Sequence, residues 1–227
     1  VKGFRHSIIE VEAEENSDVK IYISQRFSLE VLSIQSVYYR VKENANVEFV
    51  QVDLGGRENY VSYIGDLIDN NSNVNVNSIY FGKNEQKLDF NYVATQRGRA
   101  TNYDLAIKGA LADRAQKTCR VTIDFKRGSS TSKGSEEEYV TLLSDDIKNV
   151  AVPILLCTED DVEGIHAASA GKIDENILFY IMSRGFSESE AKRLILESKF
   201  AETIDLIDNE EIRKRVYTTL SKKLSEV

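Results

Sequence analysis

The residues able to do chemistry in this chain are few and far apart. Its two histidines are His6 and His166, and its two cysteines are Cys119 and Cys157. His166 closes the stretch Asp161-Val162-Glu163-Gly164-Ile165-His166 and is followed by small residues. An imidazole titrating near neutrality can be a metal ligand or a proton shuttle; it can equally be a satisfied histidine that anchors a loop. Cys157, nine residues upstream, ends the apolar run Ile154-Leu155-Leu156 and could lend a thiolate to a soft metal. A small buried hydrophobe is its plainer reading, and Cys119, inside an alternating run, reads the same way. His6 reads as incidental. The stretch from Gly128 to Gly134 is rich in Gly and Ser but lacks the G-x-x-x-x-G-K-[ST] order of a phosphate loop, so a solvated loop is expected there. Glu136-Glu137-Glu138 and Glu159-Asp160-Asp161 could hold a cation or meet a basic partner, yet such runs read first as solvated corners. Carboxylates lining a parallel β-helix would also suit a polysaccharide lyase or hydrolase, although no pair here declares itself.

These residues must be positioned by the elements around them. From about Ile8 to Leu156 short runs alternate apolar and polar, as in Val19–Ile23, Val47–Phe49, Val74–Val76, Leu88–Phe90, Tyr103–Ile107 and Cys119–Ile123. Period two with β-branched and aromatic residues predicts strands. Apolar centres recur at steps of roughly 12 to 15 residues, and the corners are Asn, Asp, Gly and Ser without many tight hairpin pairs. This spacing favours coils of a β-solenoid over a meander, while a sandwich or barrel stays open on periodicity alone. After Cys157 the pattern changes. Asp174–Arg184 followed by Gly185 predicts a helix. Ser187 and Glu190 form a capping box for a second helix to about Ser198. Asp208 and Glu211 are expected to open a third, striped by Ile212, Val216, Leu220 and Leu224. The expected division is a β domain over 1–157 and a C-terminal helical domain over 158–227.

Composition agrees with an ordered chain. Its 227 residues include 1 proline and 12 glycines, against roughly 11 and 16 at average usage. Stacked strand ladders tolerate little proline, and Pro153 is placed on the last strand before the helices. A net charge of −8 argues against gripping nucleic acid. No apolar run approaches a membrane span, and no signal-peptide core opens the chain. Two cysteines suit a reducing compartment, so a cytoplasmic protein is expected. Without an initiating Met, the sequence is expected to be part of something longer.

The last third carries an ordered series of motifs: Leu142-Leu143-Ser144-Asp145, Val152-Pro153-Ile154-Leu155, Asp160-Asp161-Val162, His166, Gly171-Lys172-Ile173-Asp174, Leu178-Phe179-Tyr180, Ser183-Arg184-Gly185-Phe186 and Glu190-Ala191. This series resembles the core of the SufB/SufD family of iron–sulfur cluster assembly proteins, clearly from about Tyr103 to Leu196 and more weakly to the start. The resemblance implies a right-handed parallel β-helix followed by a C-terminal helical module. It also implies a non-catalytic scaffold for a transient Fe–S cluster, which dimerises with a SufB/SufD-type partner or with itself and docks a SufC-type ATPase through its helices. His166 falls at the family's interface histidine, a candidate cluster-assembly residue, since clusters accept imidazole and thiolate ligands; Cys157 is a weaker metal candidate. Flavin involvement is left open.

The sequence also departs from the family pattern. Gly164 stands where many SufD-like members have a cysteine, and Ala167 replaces the glutamate that follows the histidine in SufB-like members. The SufB sulfur-acceptor cysteine has no counterpart around Glu136–Tyr139, and the family's N-terminal extension has none in these residues. The expectation is therefore a SufD-like or divergent short member. The alternatives are a β-helix acting on carbohydrate, or a purely structural partner that binds no cluster.

Overall fold

The computed structural model describes residues 2–225, leaving Val1, Glu226 and Val227 outside the description. Twelve strands alternate between two six-stranded parallel sheets. The first sheet contains β1 (Gly3–Ala13), β3 (Val31–Val41), β5 (Glu58–Leu67), β7 (Lys87–Gln96), β9 (Gln116–Phe125) and β11 (Lys148–Cys157), in that order. The second contains β2 (Asp18–Gln25), β4 (Asn46–Asp53), β6 (Asn73–Gly82), β8 (Asn102–Leu111), β10 (Ser132–Leu142) and β12 (Val162–Gly171). Each strand pairs with the one two places along the chain, which is a parallel β-solenoid of six coils and excludes a sandwich or barrel. Gly3 pairs with Val31 and Lys148 with Gln116, so one coil takes about 30 residues and the spacing seen in sequence is half a coil.

The corners explain the stacking. Asn16, Asn44 and Asn71 hold positive φ of 60, 55 and 57°, a conformation that Asn tolerates better than most side chains. Each lies on the one before it: the Asn44 amide donates to Asn16 Oδ1 at 3.1 Å and the Asn71 amide to Asn44 Oδ1 at 3.1 Å. Inside the coils, alternate residues interdigitate into one core. Tyr39, Phe49, Tyr63 and Tyr92 form a chain of rings with centroids 5.6, 5.2 and 5.3 Å apart.

Three helices follow: α1 (Glu175–Ser183), α2 (Glu188–Ile204) and α3 (Glu210–Leu224). The Ser187–Glu190 capping box forms as expected, but α2 continues to Ile204 because Phe200 and Ile204 are buried. Asn209, not Asp208, caps α3 by accepting from the Ile212 amide at 3.0 Å. The Asp208 carboxylate is drawn away by Tyr22 Oη at 2.7 Å and Lys20 Nζ at 3.1 Å. Val216, Leu220 and Leu224 of the expected stripe are buried in a second core with Leu196, Phe200 and Ile204, packed on Val50, Val52, Ile79, Phe81 and Ala110 of the second sheet's outer face. Ile212 stays exposed. No helix among the described residues is long and apolar enough to cross a membrane.

The boundary expected after Cys157 falls between β11 and β12, and β12 pairs with β10 within the solenoid. Pro153 therefore lies on the last strand of its own sheet, an edge, rather than on the last strand before the helices.

Candidate functional site at the last coil

Strand alternation dictates what faces the interior at the end of the solenoid. On β10 the inward row is Ser132, Gly134, Glu136, Glu138 and Val140, all buried, while Lys133, Glu137 and Tyr139 point to solvent. The acidic run is thus no solvated corner: two of its three carboxylates stand inside the fold. A buried charge is tolerated when it has a partner, and each of the two has one. Lys117 on β9, itself fully buried, lies 2.5 Å from the Glu138 carboxylate and donates to the Val150 carbonyl at 3.3 Å. Glu136 pairs in register with His166 on β12, so the two side chains stand side by side, with His166 Nδ1 2.6 Å from Glu136 Oε2. Burial pushes the Glu136 carboxyl above the usual carboxylate range, and the His166 hydrogen bond pulls it partly back. The other imidazole nitrogen, Nε2, is shielded from solvent and has no hydrogen-bond partner within the chain.

The Gly/Ser stretch and the second acidic run also differ from expectation, and for one reason: they are corners of neighbouring coils. Glu159 accepts from the Gly128 amide at 2.9 Å, and the Ser130 hydroxyl donates to Asp161 at 2.7 Å. The backbone amides of Gly128 and Asp160 hold the Glu159 carboxyl below its ordinary value. Ser129 and Ser132 are buried, so this is an anchored turn.

Cys119 faces the same interior and is buried, and burial pushes its thiol well above the ordinary range, so it offers no thiolate. Cys157 is free and exposed at the end of β11. A Cβ on Gly164 would meet the Leu155 side chain at 2.8 Å. Leu155 thus faces Gly164, and Cys157 faces the start of β12, on the order of 13 Å along the strand from His166. No group of three or more His, Cys, Asp or Glu residues with metal-site spacing occurs among the described residues. His6 lies on the outward row of β1, exposed. The chain therefore brings His166 together with Glu136, but not with either cysteine.

Sequence reasoning missed Glu136, Glu138 and Lys117, and a second buried acid at the other end. Asp53 on β4 accepts from the side-chain amides of Gln51 and Asn59, both at 2.9 Å. Burial raises its carboxyl to about 6 despite those two bonds. The coil period held the clue, because Glu136 and His166 are 30 residues apart.

A parallel solenoid with terminal helices folded back on one sheet, and a histidine–carboxylate pair at its end, defines the structural class of this protein as a repeat-built β-solenoid. The chain belongs to the family described as SUF system FeS cluster assembly, SufBD core domain, which it matches over residues 1–199. It is 30% identical over 147 residues to the iron–sulfur cluster assembly protein SufD of Bacillus subtilis, covering 65% of this chain and 34% of that protein. It is 28% identical over 200 residues to an iron–sulfur cluster assembly SufBD family protein of Pyrococcus horikoshii, covering 85% and 44%. A SufBD family protein of Mycobacterium leprae is 23% identical over 198 residues, 87% of this chain and 23% of that protein. The chain thus spans less than half the length of these curated relatives.

Proposed function

We propose that this chain is a non-catalytic scaffold subunit in SUF iron–sulfur cluster assembly. On this reading it pairs with a SufB/SufD-type partner, or a second copy, through the last coil of the solenoid, and receives a SufC-type ATPase on its C-terminal helices. The observation that carries the reading is the state of that last coil. Strands β11 and β12 each end their sheet, so one side of each backbone lacks a strand partner among the described residues. Val152, Ile154, Leu155, Leu156 and Ile165 are exposed beside that edge. A strand edge flanked by apolar side chains favours pairing with another chain. His166, on the inward row of β12, stands beside this edge, where a nascent cluster held between two chains would find an imidazole donor; Cys157, at the far end of the same coil, is a separate and weaker candidate.

Helix α1 supports the second half of the reading. It buries none of its residues and presents Ile177, Phe179, Tyr180 and Met182, with Phe186 just beyond, to solvent. A contiguous exposed apolar patch marks an interaction site. Family membership weighs for this reading over carbohydrate chemistry, as does the pairing of the buried carboxylates with Lys117 and His166.

Anaerobic reconstitution with ferrous iron and sulfide, on the chain and on His166→Ala, tests the cluster role. Iron and sulfide should bind to the wild type and fall by at least half in the variant. Equal content in both would leave a purely structural partner. Co-purification should recover an ABC-type ATPase, and Phe179→Asp should abolish that recovery.

A further inference from the structure

A histidine can offer only one nitrogen as an electron-pair donor, and its neighbours decide which. Here the neighbour is a buried glutamate. Glu136 and His166 are register partners on adjacent strands, both on the inward row, and Oε2 and Nδ1 are 2.6 Å apart. An ionised carboxylate can only accept, so the proton between them belongs to Nδ1. In the neutral ring, Nε2 then carries no proton. In the structure it is shielded from solvent and has no hydrogen-bond partner within the chain, and its neighbours two places to either side on the inward row, Gly164 and Ala168, have no polar side chain to offer it. One inward place further along β10 stands Glu138, which has its own partner in the buried Lys117 and leaves Glu136 to His166.

We propose that Glu136 is the positioning residue of His166, fixing the ring plane and keeping the proton on Nδ1 so that Nε2 presents its lone pair. The inference rests on the reading of His166 as the assembly-site donor, but it concerns a property of the chain alone. Orienting carboxylates behind histidine donors act in this way, by setting tautomer and raising basicity. Glu136 touches no cargo itself. Neither strand alone shows the pair, because the two residues are one coil apart.

The tautomer can be read directly. His6→Ala leaves His166 as the single histidine of the full chain, and long-range 1H–15N correlation at pH 8 then reports one ring. The expected spectrum shows a protonated Nδ1 and an unprotonated Nε2. Glu136→Ala should reverse this, shifting the majority proton to Nε2. Should that variant fail to fold by circular dichroism, Glu136→Gln replaces it, and the Nδ1–H population should drop because an amide can also donate to Nδ1. A wild-type ring protonated at Nε2, or at both nitrogens, overturns the proposal. So does a tautomer unchanged in the folded variant. Reconstitution of His166→Ala judges the scaffold reading separately, since the ring measurement uses no iron or sulfide.

Discussion

The two ends of the solenoid interior bury carboxylates in opposite ways. Near the first coils Asp53 is held by the amides of Gln51 and Asn59, and burial lifts its carboxyl to about 6. In the fifth coil Glu138 meets a buried lysine, and Glu136 meets the imidazole of the sixth. Between the ends lie rings of Tyr39, Phe49, Tyr63 and Tyr92. The two amides favour the ionised acid but burial outweighs them, so that end is readily neutralised by a proton. The other end sets its carboxylates beside a lysine and a histidine, behind the exposed edge of the last coil. The difference separates an acid held by neutral amides from acids set against a lysine and a histidine.

The strongest test of that contrast removes the cation. Lys117→Met leaves Glu138 buried without its partner and should cost about 3–5 kcal/mol in urea unfolding. The double variant Lys117→Met/Glu138→Leu should recover most of this loss, because two apolar side chains need no partner. If the single variant is as stable as wild type, the fifth coil is wetter than its burial implies and the contrast fails.

Asp53 should give the next largest effect, and its sign is fixed by the direction of the shift. Its folded value, about 6, lies above the ordinary carboxylate value, so the folded state binds the proton more tightly. Its contribution therefore favours folding at low pH and is lost as pH rises from about 4 to about 6, by up to about 3 kcal/mol. Measured against wild type, Asp53→Asn should flatten the urea midpoint over that window. Identical slopes would show that the amide cage, not the proton, settles this acid.

Packing separates the coils on a smaller scale. A Cβ on Gly109, in the middle, would fall 2.0 Å from the Tyr80 ring, whereas one on Gly164 meets only the half-exposed Leu155 side chain. Gly109→Ala should cost at least about 1–3 kcal/mol and Gly164→Ala less than about 1 kcal/mol. Equal losses in thermal unfolding would mean that the last coil is packed as rigidly as the middle.

Legibility in sequence followed the same division. Strands β4, β6, β7, β8 and β9 announced themselves because their inward rows are apolar, and the Ser187–Glu190 cap was readable because capping is local. Strand β10 was hidden because its inward row carries Glu136 and Glu138, which turn the apolar alternation into an acidic run. Strand β12 was hidden by Gly164, Ala168 and Ala170, too small to give a hydrophobic signal. Asp208 looked like a cap, but lost that place to Asn209 through bonds to Lys20 and Tyr22 far along the chain.

By itself, then, the chain's order of residues determined a solenoid-like alternation, three helices and a single histidine worth watching, because period, capping and motif order act over short stretches. Only the tertiary structure decided that this histidine faces Glu136, that neither cysteine joins it, and that Lys117 pairs with Glu138 beside it. Those facts depend on register between coils about 30 residues apart. A shift of one residue would turn every one of these side chains to the opposite face.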